Sequence, residues 1–253
     1  MKHKFSGMVC ALAMTAGTAG ASTLDFEGVF TSPAQGTILG TEFPGVTISL
    51  SGTNAGTLGL YNSACRSDAS APNCTGGDKD LATGANLASS GTAKAGTADT
   101  PAEGYILISS SGSGDSFGDK VGSPLFTVLF DVPSIISRFV LIDIDENPTR
   151  VSMSFHFADG SPTASFNGTN ATTVINPGKD NAWAEFDVAM ISEDLGTDFL
   201  KPVTSFKIQF DRISGGIASV TATPIPLPAG LPLLVSGLGL MGWIGHRRRK
   251  AAA

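Results

Sequence analysis

A chain of 253 residues in which 42 % are hydrophobic and only 15 % charged is not a disordered polymer; it has room for one all-β domain of about 200 residues beside terminal signals. All 22 acids lie between Asp25 and Asp211, and only 10 of the 16 bases lie between the two terminal apolar runs, so residues 22–224 carry −12. Such a balance repels nucleic acid and anionic lipid, whose recognition needs clustered Lys and Arg, and attracts cations.

Residues 1–21 begin with Lys2 and Lys4 and continue in a small-to-apolar stretch from Phe5 to Gly20. They close on Ala19-Gly20-Ala21, the small-x-small pattern of a signal-peptidase site. The stretch is too short and too rich in Ala and Gly for a stable span, so cleavage is expected after Ala21, and Cys10 leaves with the leader. The exported domain then covers residues 22–224. Its first strand carries Asp25 and Glu27 on either side of Phe26, and a second strand signal runs from Val46 to Leu50.

Residues 62–101 are a low-complexity stretch of Gly, Ala, Ser, Asn and Thr, read as a long loop. Within it Cys65 and Cys74 form an even pair in an exported chain, and a disulfide between them is expected. The motif Gly76-Gly77-Asp78-Lys79-Asp80-Leu81 follows. Paired glycines permit a tight turn, and acids at i and i+2 can aim oxygens at one point, as Ca²⁺ requires with its six to eight oxygen ligands. For any one acid alone, a turn role is commoner than ligation.

Strand signals recur from Tyr105 onward. Phe126, Val128 and Phe130 share one face; Phe139 to Ile142 is apolar on both faces, which suits a central strand. Asp143-Ile144-Asp145-Glu146-Asn147 ends that run, with Asp143 and Asp145 pointing the same way. Val151, Met153, Phe155 and Phe157 alternate with Ser152, Ser154 and His156, and further strands are expected over Trp183 to Val188, Phe206 to Phe210 and Ile217 to Thr223. Residues 189–196 admit one helical turn. Short strands separated by Gly, Pro, Asn and Asp predict an antiparallel β-sandwich, jelly-roll-like. The acids Asp78, Asp80, Asp143, Asp145 and Glu27 are the candidate metal ligands, with calcium the candidate ion.

Enzymatic patterns are thin. His156 is the one histidine between leader and tail and alternates onto the polar face. The chain has no Gly-x-Ser-x-Gly elbow, no His-Glu-x-x-His and no phosphate-binding loop, so no catalytic residue is assigned and a non-enzymatic protein is expected.

The C-terminus reads Ile225-Pro226-Leu227-Pro228-Ala229, then an apolar run over residues 230–245, then His246-Arg247-Arg248-Arg249-Lys250. At ~1.5 Å per residue the run reaches about 24 Å, which snorkelling of the Arg cluster extends to a membrane-spanning helix. The basic cluster sets that end in the cytoplasm and the domain outside. This order resembles the sorting tails of PEP-CTERM-type proteins, close to the variant named for Val-Pro-Leu-Pro-Ala, with Ile225 in place of Val. The resemblance covers residues 225–253. It implies an exosortase-type transpeptidase as partner, with the sorting motif at Pro226, Leu227, Pro228 and Ala229 and the basic stop at Arg247, Arg248 and Arg249.

Leu24-Asp25-Phe26-Glu27, the Gly-Gly-Asp-x-Asp-Leu motif and Leu141-Ile142-Asp143-Ile144-Asp145-Glu146 together also resemble a group of exported β-sandwich proteins with such tails. Here the stretch after the acidic run, Asn147-Pro148-Thr149, lacks the expected Gly pair, and Gly216 to Val220 lacks an Asp-Asn. The resulting expectation is an exported surface or matrix protein with calcium as its ion and exopolysaccharide as its neighbour. The alternatives are a calcium-dependent carbohydrate-binding module and, behind it, a hydrolase.

Overall fold

The computed structural model describes residues 22–26, 42–43, 45–63, 81, 83, 100–110, 122–144, 147–177 and 182–225. Ala21–Ile225 forms one compact unit. Along it run β1 (Ser22–Asp25), β2 (Glu42–Phe43), β3 (Val46–Thr53), β4 (Thr57–Asn62), β5 (Tyr105–Ser110) and β6 (Ser123–Ile142). They are followed by β7 (Val151–Phe157), β8 (Ala164–Asn167), β9 (Thr173–Ile175), β10 (Trp183–Asp187), α1 (Val188–Leu195), β11 (Val203–Phe210) and β12 (Gly216–Pro224). Every strand pairing among the described residues is antiparallel, so the described protein is mostly β-sheet, with one α-helix and two single-turn 3-10 helices, Pro148–Arg150 and Gly168–Asn170.

The architecture turns on β6. Its first part, Ser123 to Phe130, lies between β3 and β11; its second part, Ser134 to Ile142, lies beside β12, with β10 along its other side from Arg138. The exchange happens around Pro133, which has no N–H to give a ladder. There Asp131 N donates to Gly45 O and Ile225 N to Pro133 O, so the backbone on either side stays paired. One half of the sheet therefore reads β2-β3-β6-β11-β7-β8. The other reads β4-β5-β12-β6-β10-β9, with β1 also on β12.

Rings from both halves pack into one aromatic core. Phe139 of the second half stacks on Phe186 at 4.6 Å and meets Phe206 of the first half at 5.0 Å. Phe155 lies 4.9 Å from Phe206, and Phe199, from the connection after α1, closes the cluster against Phe155 and Phe166. Each such ring pair adds about 0.5–1.5 kcal/mol beyond its area burial.

Most sequence-read strands fall where alternation placed them, and Phe139 to Ile142 is indeed central. Two differences stand out. The runs around Phe126 and Phe139 are one strand, and the run from Trp183 stops at Asp187. Asp187 Oδ1 accepts from Ala189 N and Met190 N, an N-cap that starts an eight-residue helix where one turn was expected. Gly196 at φ 60° ends it, with its N–H on Glu193 O. Among the described residues no helix is long and apolar enough to cross a membrane. Residues 1–21 and 226–253, which hold the expected leader, sorting motif, span and Arg cluster, lie outside the described residues.

Candidate functional site

Three places on the domain combine polar side chains with defined geometry. The first is the end of β6. Ile142 pairs with Trp183 on one side and Gly216 on the other, and Asp143 then turns into the left-handed region at φ 58°. The strand therefore ends at Ile142, just before the first of the two acids. Asp143 is only 5 % exposed; its N–H donates to Ala182 O at 2.8 Å, and Ser214 Oγ donates to its Oδ2 at 2.9 Å. Asp143 thus fastens the β11–β12 connection to the end of β6. The connection comes close because residue 215 is glycine: at its φ of 145° an added Cβ would lie 2.5 Å from the Phe210 ring.

Of the other candidate ligands, Asp78, Asp80, Asp145 and Glu27 lie outside the described residues, as do Cys65 and Cys74. Two anchors of their motifs are visible. Leu81, which follows Asp80, is fully buried in one apolar cluster with Ile142, which precedes Asp143. β1 runs antiparallel to β12 from Ala222 to Ser219, toward the end of β12 where Gly216 faces Ile142. Among the described residues, no group of three or more His, Cys, Asp or Glu could hold a metal.

The second place was not read from the sequence. Trp183 is 3 % exposed and donates its indole N–H to Glu103 Oε1. A buried indole needs an acceptor, and that is the only signal sequence offers; nothing in it picks Glu103. Burial raises the Glu103 carboxyl above its ordinary value of 4.5, against the lowering effects of the Trp183 hydrogen bond and the Arg138 charge, while Glu185 adds to the rise. Arg138 in turn pairs with Glu185. The neighbouring chain is tied down as well: Thr83 Oγ1 lies 2.7 Å from Ser63 Oγ and accepts from Glu103 N.

The third place is a depression of about 320 Å³ lined by Thr53, Asn54, Gly122, Ser123 and Arg212. Asn54 and Arg212 both have φ near +60°, and Ser123 Oγ donates to Asp211 at 3.0 Å. The lining offers hydroxyls, an amide and one cation, with no nucleophile–base pair. His156, on the outer face of β7, has Nδ1 3.2 Å from Thr163 Oγ1. Partial burial and then the charge of Lys207 lower its pKa from 6.5.

Comparison with known protein families, with curated proteins and with solved structures gave no match.

Proposed function

We propose that this chain is an exported, non-enzymatic surface or matrix protein with a jelly-roll-like sandwich, handed to the cell surface by an exosortase-type transpeptidase. The observation that carries the reading is the order Pro226-Leu227-Pro228-Ala229, apolar run, Arg247-Arg248-Arg249 at one end of the chain, with a basic-apolar-small leader at the other. The all-β unit between them suits display outside the cell, where short strands and a weakly charged surface are common. The intact mass of the protein recovered from the surface of its native host tests the reading. The expected mass lacks residues beyond the motif. A surface form that still carries the Arg cluster would overturn sorting and leave a simple anchor.

A second reading adds calcium. It is favoured by Asp143, a buried carboxylate at a strand end, and by the burial of Leu81 in the same apolar cluster as Ile142. In this reading Asp78 and Asp80 meet Asp143 at that end of the domain, with Asp145 and Glu27 as further oxygen donors. The ion is structural there, holding the long 62–101 connection against the sheet. A calcium-dependent sugar-binding module is the form this reading takes if the ion also touches a glycan.

A further inference from the structure

We infer that β1 is a strap that closes the open edge of β12 and so guards, against endoproteases, the strand that joins the domain to residues 226–253. β12 is the last strand of the described unit, and Ile225 N still donates to Pro133 O at 2.8 Å. The sheet therefore holds the chain up to the residue before Pro226. A cut anywhere in β12 would part the domain from Pro226-Leu227-Pro228-Ala229. The strap thus rests on the proposed sorting role for its use, since it keeps the motif attached to its cargo.

One side of β12 lies on β6 from Gly216 to Pro224. The other side is shared between two strands. β5 covers Gly216 and Ile217, and β1 takes over from Ser219 to Ala222. Ala218 falls where one neighbour gives way to the other. Among the described residues β1 is the one strand on that side beyond Ile217. Without it, Ser219 to Ala222 would be edge strand, with every second N–H and C=O turned outward. Endoproteases hold their substrates as extended strands through those same groups. The end of a folded unit is also where fraying starts, so this is the stretch most in need of a second neighbour.

β1 has only four residues, and its hold comes from beside the ladder. Leu24 packs against the main core, and Phe26, 1 % exposed, belongs to that core. The strap cannot peel back past Asp25 without bringing the Phe26 ring into water. Its start is as well defined as its anchor. Ser22 pairs with Ala222 and is the first residue after the cut expected at Ala21. A leader cut after Thr23 would remove two of the four register pairs.

The test is limited digestion of the purified full chain by elastase, which cuts after small residues such as Val220 and Ala222, with fragments identified by mass. Thr23→Pro/Leu24→Pro removes the strap without touching β12. Of two consecutive strand residues one turns its N–H to the partner, and proline has none. In the unaltered chain the stretch from Ser219 to Ile225 is expected to stay uncut. The double-proline variant should be cut there about tenfold faster, the scale of one or two lost backbone hydrogen bonds when cleavage follows the open population. Met153→Ala truncates a buried side chain in β7, and should lower the melting temperature without directing cuts to β12. Cuts between Ser219 and Ile225 in the unaltered chain, no acceleration in the double-proline variant, or equal acceleration in Met153→Ala would overturn the inference. Should the double-proline variant not fold, amide exchange of the unaltered chain decides. Slow exchange at every residue from Ser219 to Ala222 supports the strap, and fast exchange at alternate residues, as on an open edge, overturns it. Digestion reads β12 and not the fate of the tail, so failure here leaves the intact-mass result standing, and the reverse.

Discussion

Glu103 illustrates how one side chain can be costly and useful together. Its carboxylate satisfies a buried indole N–H that would otherwise be left unpaired, yet burial pushes its own pKa above 4.5. A carboxyl whose pKa is raised by folding binds protons more tightly in the native state. Its stabilising contribution is therefore complete below about pH 4.5 and lost as pH rises through the higher folded value. Glu103→Gln keeps a carbonyl oxygen for Trp183 and removes the charge. Its melting temperature relative to the unaltered protein should therefore rise as pH goes from 4 toward 8. A difference that stays constant across that range would mean that the Glu103 carboxyl ionises without feeling its surroundings. The pair was invisible beforehand for a physical reason: residues 80 apart in sequence meet through sheet topology, which no local pattern records. His156 is the contrasting case, since simple alternation with Phe155 and Phe157 was enough to put it on the polar face.

At the scale of strands, the sequence was readable wherever period 2 holds and misleading wherever it slips. Arg138 pairs with Thr221 while Ile136 pairs with Ala222, so Ser137 is an extra residue in β6. This is why Ile136 and Phe139, three apart, both face the core. Ala218 is the matching extra residue in β12, between Ile217 and Ser219, and it sets both Ile217 and Val220 inward. Thr204 does the same in β11, with Val203 and Phe206 inward. Each bulge resets the phase, so a strict alternation template breaks one long strand into two short ones, as it did for the runs around Phe126 and Phe139. The bulge is testable without touching the core. Ser137→Ala removes only an exposed hydroxyl and a long 3.4 Å bond to Thr221 O, and should change stability by less than about 0.5 kcal/mol in urea unfolding. Deleting Ser137 turns Ile136 and the residues before it to the other face and should cost more than about 4 kcal/mol or abolish folding. A deletion variant as stable as the substitution would mean that the register of β6 is not what fixes its faces.

At the scale of the whole molecule, the two halves of the sheet differ in what lies outside them. The outer face of the β3-β6-β11 half mixes polar residues with the exposed Leu129, whereas that of the β5-β12-β6-β10 half is apolar at one end, where Tyr61, Ile106, Ile142 and Trp183 pack with Leu81. Leu81, which follows Asp78-Lys79-Asp80 in sequence, is buried in one cluster with Ile142, the last residue of β6 before Asp143. Carboxylates gathered there would repel one another unless a cation lay between them. Such an ion binds the folded chain and not the unfolded one, so it stabilises by RT ln(1 + [L]/Kd), ~2.7 kcal/mol at a hundredfold excess over Kd. For a domain near 200 residues each kcal/mol moves the midpoint by about 2–4 °C, so the expected rise is about 5–10 °C. Extracellular calcium sites bind at about 10⁻⁴–10⁻³ M, so saturation needs calcium well above the millimolar range in vitro. The purified protein should melt higher in excess calcium than in EDTA, magnesium at equal strength should give less, and Asp78→Ala should erase the calcium increment. Asp143→Asn separates the two roles of that residue: it retains an oxygen for Ser214 while removing the negative charge offered to the ion. It should therefore weaken the calcium response more than it lowers the melting point in EDTA. Superimposable melting curves of the unaltered protein with and without calcium would leave Gly76 to Leu81 as an ordinary turn and Asp143 as a clasp between β6 and the β11–β12 connection.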